Sequence, residues 1–81
     1  MDSKDKLSDN QRVQLAKVGD RLRALRVKKG YSNYETFAFE HGLNRANYGR
    51  YEAGNNLRLD TLIKILECHE MTLDEFFRVE V

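Results

Sequence analysis

An all-α fold is predicted for this chain of 81 residues by three features. Apolar residues recur at spacings of three and four, Ser, Asn and Thr stand where helices should start, and glycines rather than prolines mark where they should stop. Ser8 and Gln11 have the spacing of a capping box, and Leu15, Val18, Leu22 and Leu25 then form one apolar stripe. Lys28 and Lys29 suit the negative end of a helix dipole and Gly30 ends the run, so helix one is expected from Asp9 to Lys29. Ser32 and Glu35 form a second box, which places helix two from Asn33 to Glu40. Asn44 is a good cap for helix three, Arg45 to Ala53, and Gly54 closes it. Asn55 and Asn56 make the next loop. Leu59, Leu62, Ile63 and Leu66 give helix four one apolar face, and Thr72 with Glu75 boxes a short helix five, Leu73 to Arg78. Met1 to Leu7 has no periodicity and is expected to be disordered, which leaves residues 8–81 as one helical domain.

A core of this size is marginally stable unless well packed or shared, which favours dimerisation. No apolar run approaches membrane-spanning length, and the charged residues 1–7 read as neither signal peptide nor anchor. The single cysteine, Cys68, has no internal partner, in keeping with a reducing cytoplasm. Net charge is only +1, yet Met1 to Arg58 holds twelve Lys or Arg against seven Asp or Glu, while Leu59 to Val81 holds two against six. This asymmetry suits a molecule with a nucleic-acid side and another side; scatter over solvated helices is the alternative. No enzyme is expected. His41 lacks a suitable Ser or Cys nucleophile nearby, and the chain has no glycine-rich phosphate loop or paired catalytic carboxylates. Cys68 and His69 are adjacent, so on a helix they point about 100° apart, and no second pair completes a metal set. Neither metal nor cofactor is expected.

The most informative stretch is YETFAFEHGLNRANYGRYE, Tyr34 to Glu52. Ala38 is small where two helices would cross, Gly42 can take a left-handed turn conformation, and Tyr48 and Tyr51 share one face. The opposite face of the second helix carries Arg45, Asn47 and Arg50, with Ala46 able to touch a thymine methyl. Gly49 on that helix allows either close approach to DNA or crowding against another helix. Helical spacing assigns Phe37, Tyr48, Tyr51 and Phe76 to the core and leaves Phe39 outside it. Ile65, Met71 and Phe77 exceed what one core face needs and form a candidate dimer surface, the alternative being a more completely buried monomer core.

This stretch resembles the helix-turn-helix of the phage-repressor and Cro-like family, known in bacteria as the Xre family. LRALRVKKGYS (Leu22 to Ser32) is similar to the family's first helix and its terminating glycine, and LRLDTLIKILECHEMTLDEFF (Leu57 to Phe77) to its fourth and fifth helices. The resemblance covers about two thirds of the chain, in family order. Three positions depart from the family pattern. Tyr34, or Asn33 if the loop is one residue longer, stands where a phosphate-binding glutamine is usual, Tyr48 replaces an aliphatic residue, and His41 precedes the turn glycine.

The resemblance implies a five-helix, lambda-repressor-like domain whose first helix is extended by about two turns. It implies a cytoplasmic homodimer that binds double-stranded DNA in a sequence-specific manner and regulates transcription. Arg45, Ala46, Asn47 and Arg50 would face base edges in the major groove, and Asn33, Tyr34, Asn44, Asn55 and Arg58 would contact phosphates. Stand-alone members of this size include controller proteins, phage repressors and antitoxins. An antitoxin-like protein-interaction module on the same scaffold is the alternative reading.

Overall fold

Reciprocal hydrogen bonds start the first helix, α1 (Asp9–Lys28): the Ser8 hydroxyl accepts from the Gln11 N–H, and the Gln11 side chain accepts from the Ser8 N–H. The computed structural model describes residues 6–78. Of the segment 1–7 expected to be disordered, residues 1–5 lie outside the described residues, and Leu7 is half-buried. Four shorter helices follow, α2 (Tyr34–Glu40), α3 (Arg45–Glu52), α4 (Leu59–Glu67) and α5 (Leu73–Phe77), with no strand among the described residues. The all-α expectation holds, in the predicted order.

Helix starts follow the side chains available. Asn44 accepts from the Asn47 N–H to open α3, and Thr72 with Glu75 forms the predicted box at α5. At α2 the cap differs from the sequence reading. The backbone of Asn33 is extended, and its side-chain oxygen accepts from the Thr36 N–H at 2.8 Å. Asn33 is therefore the cap and Ser32 precedes it, which moves Glu35 out of the position that a box requires. Helix ends depend on left-handed residues. Gly42, at φ 71°, turns the chain so that the Leu43 N–H reaches the Ala38 carbonyl and the Gly42 N–H that of Phe39. After α4 the left-handed position is taken by Glu70, at φ 54°.

The core consists of Leu22, Phe37, Ala38, Tyr48, Leu62, Ile65, Leu66 and Phe76. Phe37 is its aromatic centre, edge-on to Tyr31 and close to His41 and Tyr48, with His69 stacked on it at 5.2 Å. Burial of the Phe37 and Tyr48 rings contributes roughly 3 kcal/mol each by area, before entropy is counted. Phe39, predicted to fall outside the core, is 73% exposed. Helix α4 differs from the sequence reading in rotation. Its core face is Leu62, Ile65 and Leu66, whereas Leu59 and Ile63 are exposed. Leu59 is the first residue of the helix, so it lies beyond the end of the packed face.

Two contacts set α3 against α1. Gly19 is buried where the helices cross, and a Cβ there would stand 2.5 Å from the Glu52 carbonyl oxygen. Two turns further along, Arg26 is only 4% exposed. Its Nε and Nη2 donate to the two Glu52 carboxylate oxygens at 2.8 and 3.0 Å, and its Nη1 donates to the Tyr31 carbonyl at 2.8 Å. The Glu52 hydrogen bond is the main cause that raises the Arg26 pKa, opposed by burial. Tyr48 Oη is buried in this region with no hydrogen-bond partner among the described residues. Burial, then Glu52, pushes the Tyr48 phenol well above its ordinary value. Removing one partner of a buried pair strands the other, so Glu52→Ala is expected to cost about 3 kcal/mol in urea unfolding. A loss below 1 kcal/mol would show the pair to be peripheral.

His69 gives the fold a pH dependence. Its Nε2 is buried without a partner among the described residues, and burial, followed by the charges of Lys29 and His41, lowers its pKa from 6.5. The unfolded chain therefore binds the proton more readily, and stability falls as pH drops below about 6.5 toward the lower folded value. His69→Phe should flatten this decline in denaturation curves taken between about pH 7 and pH 5; an unchanged slope would assign the effect elsewhere.

Candidate nucleic-acid interface

Helices α2 and α3, joined through Gly42 and Leu43, present two N-termini to the same side of the molecule. Tyr34 and Glu35 from the start of α2 line a cleft of about 400 Å³ with Asn44, Arg45 and Ala46 from the start of α3. Unpaired N–H groups at such helix starts attract anions, although Glu35 supplies an opposing charge within the cleft. Tyr34 is 37% exposed, so its hydroxyl can reach a ligand from there.

The faces of α3 divide more sharply than the sequence suggests. Tyr48 points into the core, and Tyr51 and Glu52 are half-buried. At about 100° per residue, the direction opposite these belongs to Ala46 and Arg50, both exposed. Arg45 lies on the flank toward α2, in the cleft with Tyr34. Asn47, also exposed, lies on the other flank and borders a smaller cleft with Thr61 and Lys64 of α4. The four predicted base-facing residues are thus brought to one exposed helix, with Ala46 and Arg50 at its centre. Arg45 and Arg50 have no carboxylate partner among the described residues.

The predicted phosphate contacts differ in what their side chains have free. Asn33 and Asn44 each use the side-chain oxygen as a cap and keep the amide N–H groups for an external acceptor. Asn55 is engaged, since both its backbone N–H and its Nδ2 donate to the Arg50 carbonyl, at 3.0 and 3.1 Å. Arg58 lies along Asp60, with both of its hydrogen bonds exposed. An exposed pair of this kind is worth little, so its guanidinium can exchange Asp60 for a phosphate at small cost.

Tyr34 occupies a hollow made by Gly49. A Cβ at position 49 would stand 2.5 Å from the Tyr34 ring, so the open alternative at Gly49 resolves to crowding against another helix. The ring sits over α3, 6.5 Å from that of Tyr48. The candidate dimer surface also changes. Ile65 is 1% exposed within the core and does not belong to a surface; α4 turns it inward together with Leu62 and Leu66. Met71 is half-buried and Phe77 is 51% exposed. Ile63 and Leu59 are the apolar residues of α4 that face outward.

Sequence reasoning missed Gly19, Arg26 and Glu52, which hold α3 in place. Their signal was present but unspecific: Arg26 extends the Leu15–Leu22 stripe by one turn, and a buried arginine cannot be told from a solvated one without its partner. Cys68 and His69 diverge, with Cys68 Sγ near the Lys64 carbonyl and His69 on Phe37. No helix among the described residues is long and apolar enough to cross a membrane.

Compared with known proteins, residues 22–76 match the model of a family described as helix-turn-helix. No curated protein sequence and no solved structure matches the chain. The match begins within α1 and leaves its first turns outside. Gly49→Ala tests the hollow. Alanine gains roughly 1 kcal/mol of helix propensity, and the atoms it meets are the tip of a partly exposed side chain that can swing away. Stability should stay within about 1 kcal/mol of the wild type, while NMR shifts of the Tyr34 ring protons change. Unchanged shifts would contradict the contact.

Proposed function

The chain belongs to the helix-turn-helix family of Xre/Cro-repressor type, and on that premise we propose that it is a cytoplasmic, sequence-specific double-stranded DNA-binding regulator of transcription that acts as a homodimer. The observation that carries this reading is the exposed face of α3. Ala46 and Arg50 project from the face of α3 opposite buried Tyr48, with Arg45 on the flank toward α2 and no carboxylate on either arginine among the described residues. An arginine there can donate twice to guanine O6 and N7, and the Ala46 methyl suits thymine. Asn47, on the α4 flank, can reach either an adenine edge or the adjoining backbone. Asn33, Asn44 and Tyr34 offer donors around the two helix starts, where phosphates are attracted.

Homodimerisation would place two copies of α3 in successive major grooves, about 34 Å apart. Phe77, Ile63 and Leu59 are exposed apolar residues in the acidic, C-terminal part of the chain. Catalysis has no part in this reading. An interaction module of antitoxin type would use the same scaffold without needing free arginines on α3. Arg45→Ala and Arg50→Ala should each weaken binding to a selected duplex by roughly 1–3 kcal/mol and relax preference at one base position. Selection from random duplexes followed by titration provides the measurement. If both variants bind the selected site as the wild type does, α3 is not the reading helix.

A further inference from the structure

We propose that Arg12, from the N-terminal extension of α1, is a phosphate-binding residue that widens the DNA contact beyond the helix-turn-helix unit; this inference rests on the DNA-binding reading above. The extension lies outside the family match, which begins at residue 22. It is nevertheless fixed in place relative to α3. A Cβ at Gly54, the residue that follows α3, would stand 3.3 Å from the Ala16 Cα, and the Gly19 crossing with Glu52 lies one turn further along the same flank of α1. Arg12 is one turn before Ala16, so it falls on this flank too. There it lines a cleft of about 270 Å³ with Leu7, Ala53, Gly54 and Asn55, directly behind the end of the reading helix.

Three observations give that cleft a need for a cation that Arg12 meets. The C-terminus of α3 carries the negative end of its dipole, which would repel a phosphate unless neutralised. Of the donors near the cleft, the Asn55 Nδ2 is engaged with the Arg50 carbonyl, and Arg58, which can release Asp60, does not line it. Arg12 is exposed and has no carboxylate partner among the described residues. A guanidinium held on a rigid helix beside the loop can engage a phosphate in a bidentate way and at low entropic cost.

The test is the salt dependence of binding by the full chain to a duplex of random sequence about two helical turns long. Arg12→Gln is compared with Lys17→Gln, which removes the same charge from an exposed site on the opposite side of α1. Each phosphate neutralised contributes about 0.9 to the slope of log K against log salt. Arg12→Gln should lower the slope by about 0.9 and Lys17→Gln should leave it unchanged, with the base preference of the selected site unaltered in both. The proposal is overturned if the Arg12→Gln slope equals that of the wild type, even where its urea midpoint falls, since Arg12 would then only complement the α3 dipole. It is also overturned if both variants lose slope equally. A wild-type chain that binds duplex while Arg12→Gln is silent sinks this inference alone; a wild-type chain that binds no duplex at any salt sinks the DNA reading with it.

Discussion

The bidentate pairing of Arg26 with Glu52 is the constraint on which the rest of the molecule depends. One guanidinium joins three segments: α1, to which it belongs, the loop before α2 through the Tyr31 carbonyl, and the last residue of α3. Fork geometry matters here, because an ammonium could satisfy only part of this set in one plane. Next to it the Gly19 crossing brings α3 to backbone contact with α1, close enough that a methyl group would not fit. A polar staple thus fixes the distance and rotation of α3, while the Phe37 and Tyr48 rings supply the cohesion.

Rotation of α3 is what gives the candidate interface its content. Because Tyr48 is buried and Glu52 held, Ala46 and Arg50 face outward, Arg45 leans toward α2 and Asn47 toward α4. The exposed face proposed to read DNA is therefore a consequence of packing on the other side of the helix. The basic excess of the first part of the chain follows the same division: Arg12, Arg45 and Arg50 remain exposed, whereas Arg26 is consumed internally. Net charge over the whole chain, at +1, hides both facts.

Much of this was legible in the sequence for reasons that are local. Caps at Ser8, Asn44 and Thr72 and left-handed turns at Gly30, Gly42 and Gly54 are decided within a few residues, so the helix boundaries agree closely. The Ser32 box failed because Asn33, one residue on, is a competent cap with equal local claim. Which apolar residues of α4 face inward was not legible, since Leu59 and Ile63 extend the apolar run as well as Ile65 does, and only the neighbouring helices decide between them. The Arg26 pairing, and which residue fills the space beside Gly49, were invisible for a deeper reason: each is defined by a residue distant in the chain.

The Gly49 hollow limits how far α3 can be treated as an interchangeable cassette. Recognition helices invite grafting, with a new set of outward side chains transplanted onto an existing scaffold. Here a donor helix with any side chain at position 49 would evict Tyr34 from its seat and alter the entrance to α2 as well as the exposed face of α3. On the proposed reading, sequence preference and backbone grip would therefore be inherited together in this chain. Divergence at one should be accompanied by compensating change at the other, so that positions 34 and 49 evolve as a pair although they belong to different helices.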